Sequence, residues 1–198
     1  MINTVRLRCT IGWLGILLPW LIVLLLGVFP QSISATYYTY EAGPLFMIVL
    51  GSASFLLFSY KGYEVIDDII NSIAGLFGLL ICLFPTDSPL LEFVGTFQVP
   101  SAISGIIHDI SAVGFFALLS YSSLFLFTKS SGNPTRNKKI RNIIYRICGI
   151  GMICSFLILL LPSFPIQTWL VEAVALFFFG ISFLTKADYY SWLFADKK

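Results

Sequence analysis

Charge is what this sequence has least of. Its 12 Lys and Arg and 10 Asp and Glu make up 11% of 198 residues. A water-soluble domain carries about 25% charged residues. So few charges cannot solvate a globule of this size, and a soluble fold is excluded. Disorder, a collagen-like fibre and a disulfide-rich secreted scaffold are excluded by the same composition. Histidine is nearly missing too, with His108 alone. A three-histidine zinc site cannot be built, and HExxH does not occur. Cys9, Cys82, Cys148 and Cys154 fall within or beside apolar runs. The spacing of the last two suits neither a redox CxxC nor a metal clamp, so all four read as free, buried thiols. There is no P-loop, GxGxxG or GxSxG. No metal and no cofactor are expected. Residue 2 is Ile, which excludes myristoylation.

What the sequence has in quantity is long apolar runs, with 58% hydrophobic residues. A bilayer core takes roughly 20 apolar residues per helix. Six stretches qualify: Ile11–Phe29, Leu45–Tyr60, Ile69–Phe84, Ile103–Phe127, Ile143–Leu161 and Ile166–Thr185. Barrel strands would alternate in polarity over about ten residues. The runs 21–26 and 156–161 do not alternate. The predicted fold class is all-α: a single-domain integral membrane bundle of six transmembrane helices. Pro30, Pro44, Pro85, Pro89, Pro100, Pro162 and Pro165 lie at span ends or in connections. Pro19 lies inside the first span and predicts a kink. That span is longer than the apolar core of a signal peptide and reads as an uncleaved anchor.

Six spans put all 12 basic residues on one side: Arg6, Arg8, Lys61, Lys129, Arg136, Lys138, Lys139, Arg141, Arg146, Lys186, Lys197 and Lys198. The opposite connections, about 30–44, 86–102 and 162–165, hold none. The positive-inside rule then places both termini in the cytoplasm and the chain in the inner membrane. Five carboxylates remain outside: Glu41, Asp87, Glu92, Asp109 and Glu172.

Ionisable residues inside spans are costly and mark function by default. His108 and Asp109 lie about one turn into the fourth span, and Glu172 at a similar depth in the sixth. Ser111 shares the His108 face by helical periodicity. One reading is an outward-facing pocket of His108, Asp109, Glu172 and Ser111, with Glu41, Tyr37, Asp87, Ser32 and Ser34 contributing from connections. It would bind, sense or transport a lipid or small amphiphile. Another is a membrane-embedded lipid hydrolase or transferase, with His108 as base and Asp109 or Glu172 as partner. A third is a structural or assembly subunit, in which these residues link helix ends by hydrogen bonds.

On the basic side, Lys61, Asp67, Asp68, Arg141 and Arg146 form an expected ion-pair network, with Arg146 able to snorkel or to pair with Asp67 or Asp68. Arg136, Lys138, Lys139 and Arg141 suit anionic lipid headgroups. The run is short and hugs the membrane, so nucleic acid is not expected as a partner. The segment Leu90–Phe97 is expected to cap the bundle at the interface, and Tyr189, Tyr190 and Trp192 to anchor the end of the chain. Gly51, Ser54, Gly75, Gly78, Gly149 and Gly151 predict close helix contacts.

Several segments together resemble a known layout: 32–39 in the first outer connection, 59–64 with Asp67 or Asp68, Ala74-Gly75, and Leu83-Phe84-Pro85-Thr86. To these add His108 with Ser111-Ala112, the run 141–149, and Trp169, Glu172 and Gly180. The chain resembles an uncharacterised bacterial family of small six-helix membrane proteins, with a Phe-Pro end to the third helix and a His opening the fourth. The layout is also similar, more distantly, to the superfamily of alkaline ceramidases and progestin/adiponectin-type receptors. That resemblance implies a zinc site of several histidines, an Asp and a Ser. Here only His108, with Asp109 or Asp87, matches it, and the other histidines and a seventh helix are missing.

Overall fold

The computed structural model describes residues 4–130, 132–159 and 167–189. Six helices carry the fold. They are α1 (Thr4–Leu26), α2 (Gly43–Phe58), α3 (Val65–Leu83), α4 (Ser101–Tyr121), α5 (Arg136–Leu159) and α6 (Thr168–Lys186). A π-helical turn, Ser122–Leu126, extends α4. Five of these helices are long and apolar enough to cross a bilayer. The 16 residues of α2 rise roughly 24 Å, short of a hydrocarbon core of about 30 Å. The chain is a multi-pass α-helical membrane protein.

The helix bounds differ from the apolar runs for local reasons. Gly27 stops α1 three residues before the end of the apolar run at Pro30, because its φ of +67° ends the helix and its N–H caps the Val23 carbonyl. Phe29, predicted as the end of the first span, instead packs its ring 4.8 Å from that of Trp169. Helix α1 runs through Pro19 without interruption. Helix α5 begins at Arg136, seven residues before its apolar run, because Arg and Lys are good helix formers and Thr135 Oγ1 accepts the Lys138 N–H. Leu161, Ile166, Pro162 and Pro165, which were to end the fifth span and open the sixth, lie outside the described residues. So do Tyr190, Trp192, Lys197 and Lys198.

Each helix packs on its neighbours in sequence, and α6 returns to α1, so the six close into a ring. Ile11, Leu18, Phe115, Leu119, Phe179 and Phe183 fill its centre. The outside is apolar as well, as Leu24 (78% exposed) and Ile48 (66%) illustrate. A surface of that kind faces lipid. Close backbone approach uses small residues. A Cβ on Gly180 would lie 2.5 Å from the Gly12 carbonyl oxygen, where α6 crosses α1. Gly75 lies similarly against the Ser54 carbonyl, whereas Gly51 faces open space and marks no contact.

Alternating helix directions sort the charges. The described Lys and Arg residues gather at one end, with the 59–64 and 127–135 connections. At the opposite, acidic end, a two-stranded hairpin pairs β1 (Phe93–Val94) with β2 (Val99–Pro100). Val94 is buried, and the Phe97 ring lies 5.6 Å from that of Phe84. The hairpin therefore covers the end of α3.

Candidate functional site

At the acidic end, α4, α6 and the 27–43 connection enclose a cavity of about 160 Å³. Its polar wall includes Ser32, Ser34, Thr86, His108, Asp109, Thr168 and Glu172, and its apolar wall includes Phe46, Phe115, Phe116 and Phe156. His108, Asp109 and Glu172 thus share one cavity. Among the described residues no Lys or Arg lines it.

Glu172 is placed there by a backbone problem. The chain leaving α1 is irregular, and its N–H groups need acceptors where water is scarce. The Glu172 carboxylate supplies them. It accepts the Ile33 N–H at 2.6 Å, the Ser32 hydroxyl at 3.0 Å and the Ser34 N–H at 3.4 Å. In return, the Trp169 N–H donates to the Gln31 carbonyl at 2.9 Å, so α6 and this connection fix each other.

His108 answers a second backbone problem. Helix α3 ends at Leu83, and the following carbonyls have no helical partners. His108 is buried at 3% exposure, and its Nδ1–H donates to the Phe84 carbonyl at 2.9 Å. One turn earlier on α4, Ser104 Oγ donates to the Pro85 carbonyl at 2.7 Å. Ser101 Oγ donates to Asp87 at 2.6 Å and accepts the Ser88 N–H at 2.8 Å. Ser101, Ser104 and His108 therefore form a polar stripe that fastens residues 84–88 to α4. Ser104 and Ser101 were not singled out from the sequence. Their signal is a spacing of three and four residues leading to His108 on an otherwise apolar helix.

The other candidates fall elsewhere. Ser111 is buried on the same stripe, but its hydroxyl donates to the Ile107 carbonyl of its own helix at 2.6 Å. Tyr37 is half-buried and packs edge-on against Tyr38, and Glu41 is exposed; neither lines the cavity. Tyr38 donates to the Thr86 carbonyl at 2.5 Å. Burial, then the neighbouring Tyr37 and Asp87, push its phenol up to about 12, so it stays a donor at neutral pH. Asp109 is exposed beside His108, and no partner engages its carboxylate among the described residues.

This arrangement offers acceptors over an aromatic floor. It can hold a group that donates hydrogen bonds or carries positive charge. A hydrolase would need a nucleophile hydrogen-bonded to His108. Among the described residues no Ser, Thr or Cys side chain makes that bond, and Nδ1 is already committed to a backbone carbonyl.

The ion pairs at the basic end differ from those expected. Lys61 does meet Asp68, at 2.8 Å. Asp67, however, is taken by Lys129 at 3.0 Å, and Lys129 also reaches Glu64 at 2.8 Å. These two carboxylates, Glu64 foremost, hold the Lys129 ammonium above the usual lysine range. Arg141 pairs with Asp188. Arg146 is exposed on α5 and forms no ion pair among the described residues, so its expected link to Asp67 or Asp68 is replaced by that of Lys129. The reason is geometric: Arg146 is exposed on the outside of α5, while Lys129, just after α4, reaches the start of α3.

No protein family, curated protein or solved structure matches the chain.

Proposed function

We propose that the chain crosses the inner membrane six times with both termini in the cytoplasm, and that its outer cavity binds one end of a small amphiphile or lipid. The segregation of basic residues to one end supports the orientation. One observation carries the binding reading. Two carboxylates from different helices, Asp109 and Glu172, line one cavity with His108, and that cavity has an aromatic floor and no cation among the described residues.

The chemistry of the walls defines the ligand class. Glu172 already accepts three hydrogen bonds, so the open acceptor is Asp109. A headgroup that is cationic or rich in hydroxyls complements it, and an anionic one is repelled. Size matters as well. A dry cavity of about 150 Å³ takes a body the size of benzene. Only one end of an amphiphile therefore enters, and the rest extends along the helices into lipid.

The test uses the full chain in a neutral detergent. Thermal unfolding is followed with an alkylammonium, an alkyl glucoside and an alkyl sulfate of equal chain length. The first two raise the melting temperature and the sulfate does not. Asp109→Asn weakens the alkylammonium effect about tenfold, the loss of roughly one charge-assisted hydrogen bond. Equal stabilisation by all three compounds, or none by any, overturns the reading.

A further inference from the structure

The basic end holds a second and larger pocket, of about 720 Å³. It opens between the start of α1, the 62–64 turn, the 127–135 connection, α5 and the end of α6. Five cations line it: Arg8, Lys129, Lys138, Arg141 and Lys186. Among the described residues only two that line it are acidic, Glu64 and Asp188.

Most of these cations are engaged. Lys129 pairs with Glu64 and Asp67, and Arg141 with Asp188. Lys138 donates to the Phe127 carbonyl at 2.7 Å. Lys186 differs. It is only 9% exposed, and among the described residues its ammonium has no hydrogen-bond acceptor and no carboxylate partner. It rests over two rings, 4.4 Å from that of Tyr63 and 5.0 Å from that of Phe127. Lys186 closes α6, where the helix dipole favours a cation. The dipole accounts for a lone charge at a helix end, but not for its placement in a pocket wall with four other cations. Cation–π contact returns about 0.5–2 kcal/mol, and the side chain is buried while it lines the pocket. Arg8 donates from Nη2 to the Lys61 carbonyl at 3.0 Å and Arg141 pairs with Asp188, but the Nε of each is buried without an acceptor among the described residues.

A second observation concerns α5. Its N-terminus, with Pro134 and Thr135, lines the same pocket. The positive end of a helix is ordinarily offset by Asp or Glu in the first turn. Here the first turn holds no acid and begins with Arg136. The helix end and the side chains add to one positive field. The π turn at Ser122–Leu126 contributes by setting Phe127, whose ring lies under Lys186 and whose carbonyl holds Lys138.

We propose that this pocket binds a multiply charged phosphate group, with Lys186 as the buried contact and Arg8 and Arg141 at its sides. The pocket lies where the bundle meets the basic side of the membrane. The phosphate can therefore belong to a lipid headgroup of the phosphatidic acid kind or to a soluble phosphate ester. The site is independent of the acidic cavity at the other end of the bundle.

Full-length protein in neutral detergent is titrated with inorganic pyrophosphate. In parallel, the protein is reconstituted in phosphatidylcholine alone, with phosphatidylglycerol, or with phosphatidic acid. Thermal unfolding reports binding. A rise with pyrophosphate identifies the soluble source, and a rise with phosphatidic acid exceeding that with phosphatidylglycerol identifies the lipid source. Lys186→Met weakens the affinity at least tenfold, while the melting temperature of the free protein stays level or rises, because an uncompensated cation is removed. Arg8→Gln, at a half-buried position on the pocket wall, weakens binding several-fold and serves if Lys186→Met does not fold. The proposal is overturned if pyrophosphate does not stabilise the protein and phosphatidic acid stabilises it no more than phosphatidylglycerol. It is also overturned if Lys186→Met and Arg8→Gln bind as tightly as the parent.

Discussion

At the scale of single residues, the polar groups inside this bundle first serve the backbone. Glu172 accepts the N–H groups of a chain segment that has left its helix, and His108 donates to a carbonyl that a helix has left behind. Both roles arise because the surroundings supply little water. His108→Ala leaves the Phe84 carbonyl without a donor. We expect a loss of about 1–3 kcal/mol, the cost of one unsatisfied buried polar group, read as a lower melting temperature in detergent. His108→Asn keeps a donor amide and recovers part of the loss. If both variants melt like the parent, the hydrogen bond to Phe84 contributes nothing to stability. The sequence makes both residues conspicuous, since charges are rare in spans, but a sequence gives no partners. It could not tell that His108 faces a carbonyl rather than a hydroxyl nucleophile.

At the scale of elements, the apolar runs predict the number of helices, and the polar flanks shift their ends. Hydropathy places the fifth span from Ile143, yet α5 begins at Arg136. Hydropathy reports where a helix meets lipid; propensity and caps decide where it starts. The crossing of α1 and α6 rests on Gly12 and Gly180, whose backbones nearly touch. Gly180→Val places a branched side chain against the Gly12 carbonyl and Ile16. We expect a destabilisation of about 1–3 kcal/mol from overpacking, measured by thermal unfolding. The same substitution at Gly51, which faces open space, is expected to change stability by less than about 0.5 kcal/mol. If the two substitutions cost the same, the Gly12–Gly180 contact is not a packing constraint. The hairpin over the end of α3 was legible only as a covering segment. Two-residue strands carry too little pattern to announce themselves.

At the scale of the whole molecule, the separation of charge between two ends sets both proposed sites. One end offers carboxylates without cations, and the other offers cations in excess of carboxylates. The orientation follows if the basic end faces the cytoplasm. In a cysteine-free background, Tyr40→Cys lies at a 93% exposed position of the acidic end, and Ser130→Cys at an exposed position of the basic end. A membrane-impermeant maleimide added to whole cells with a permeable outer envelope is expected to label the first and spare the second until the inner membrane is opened. The reverse pattern overturns the orientation, and labelling of both overturns the number of crossings.

Composition and periodicity alone were enough for an all-helical membrane protein, for its six apolar helices and for the gathering of positive charge at alternate connections. These are one-dimensional properties: the length of an apolar run, the position of a proline, the sign of a loop. Tertiary structure decided the rest, because partners come from distant parts of the chain. It brought Glu172 to Ser32, His108 to Phe84 and Lys129 to Asp67. It turned Arg146 away from the pairing expected of it. It also buried Lys186 on two aromatic rings, in a position that reads in sequence as an ordinary basic residue at a helix end. A buried charge without a partner can be recognised only once its surroundings are known.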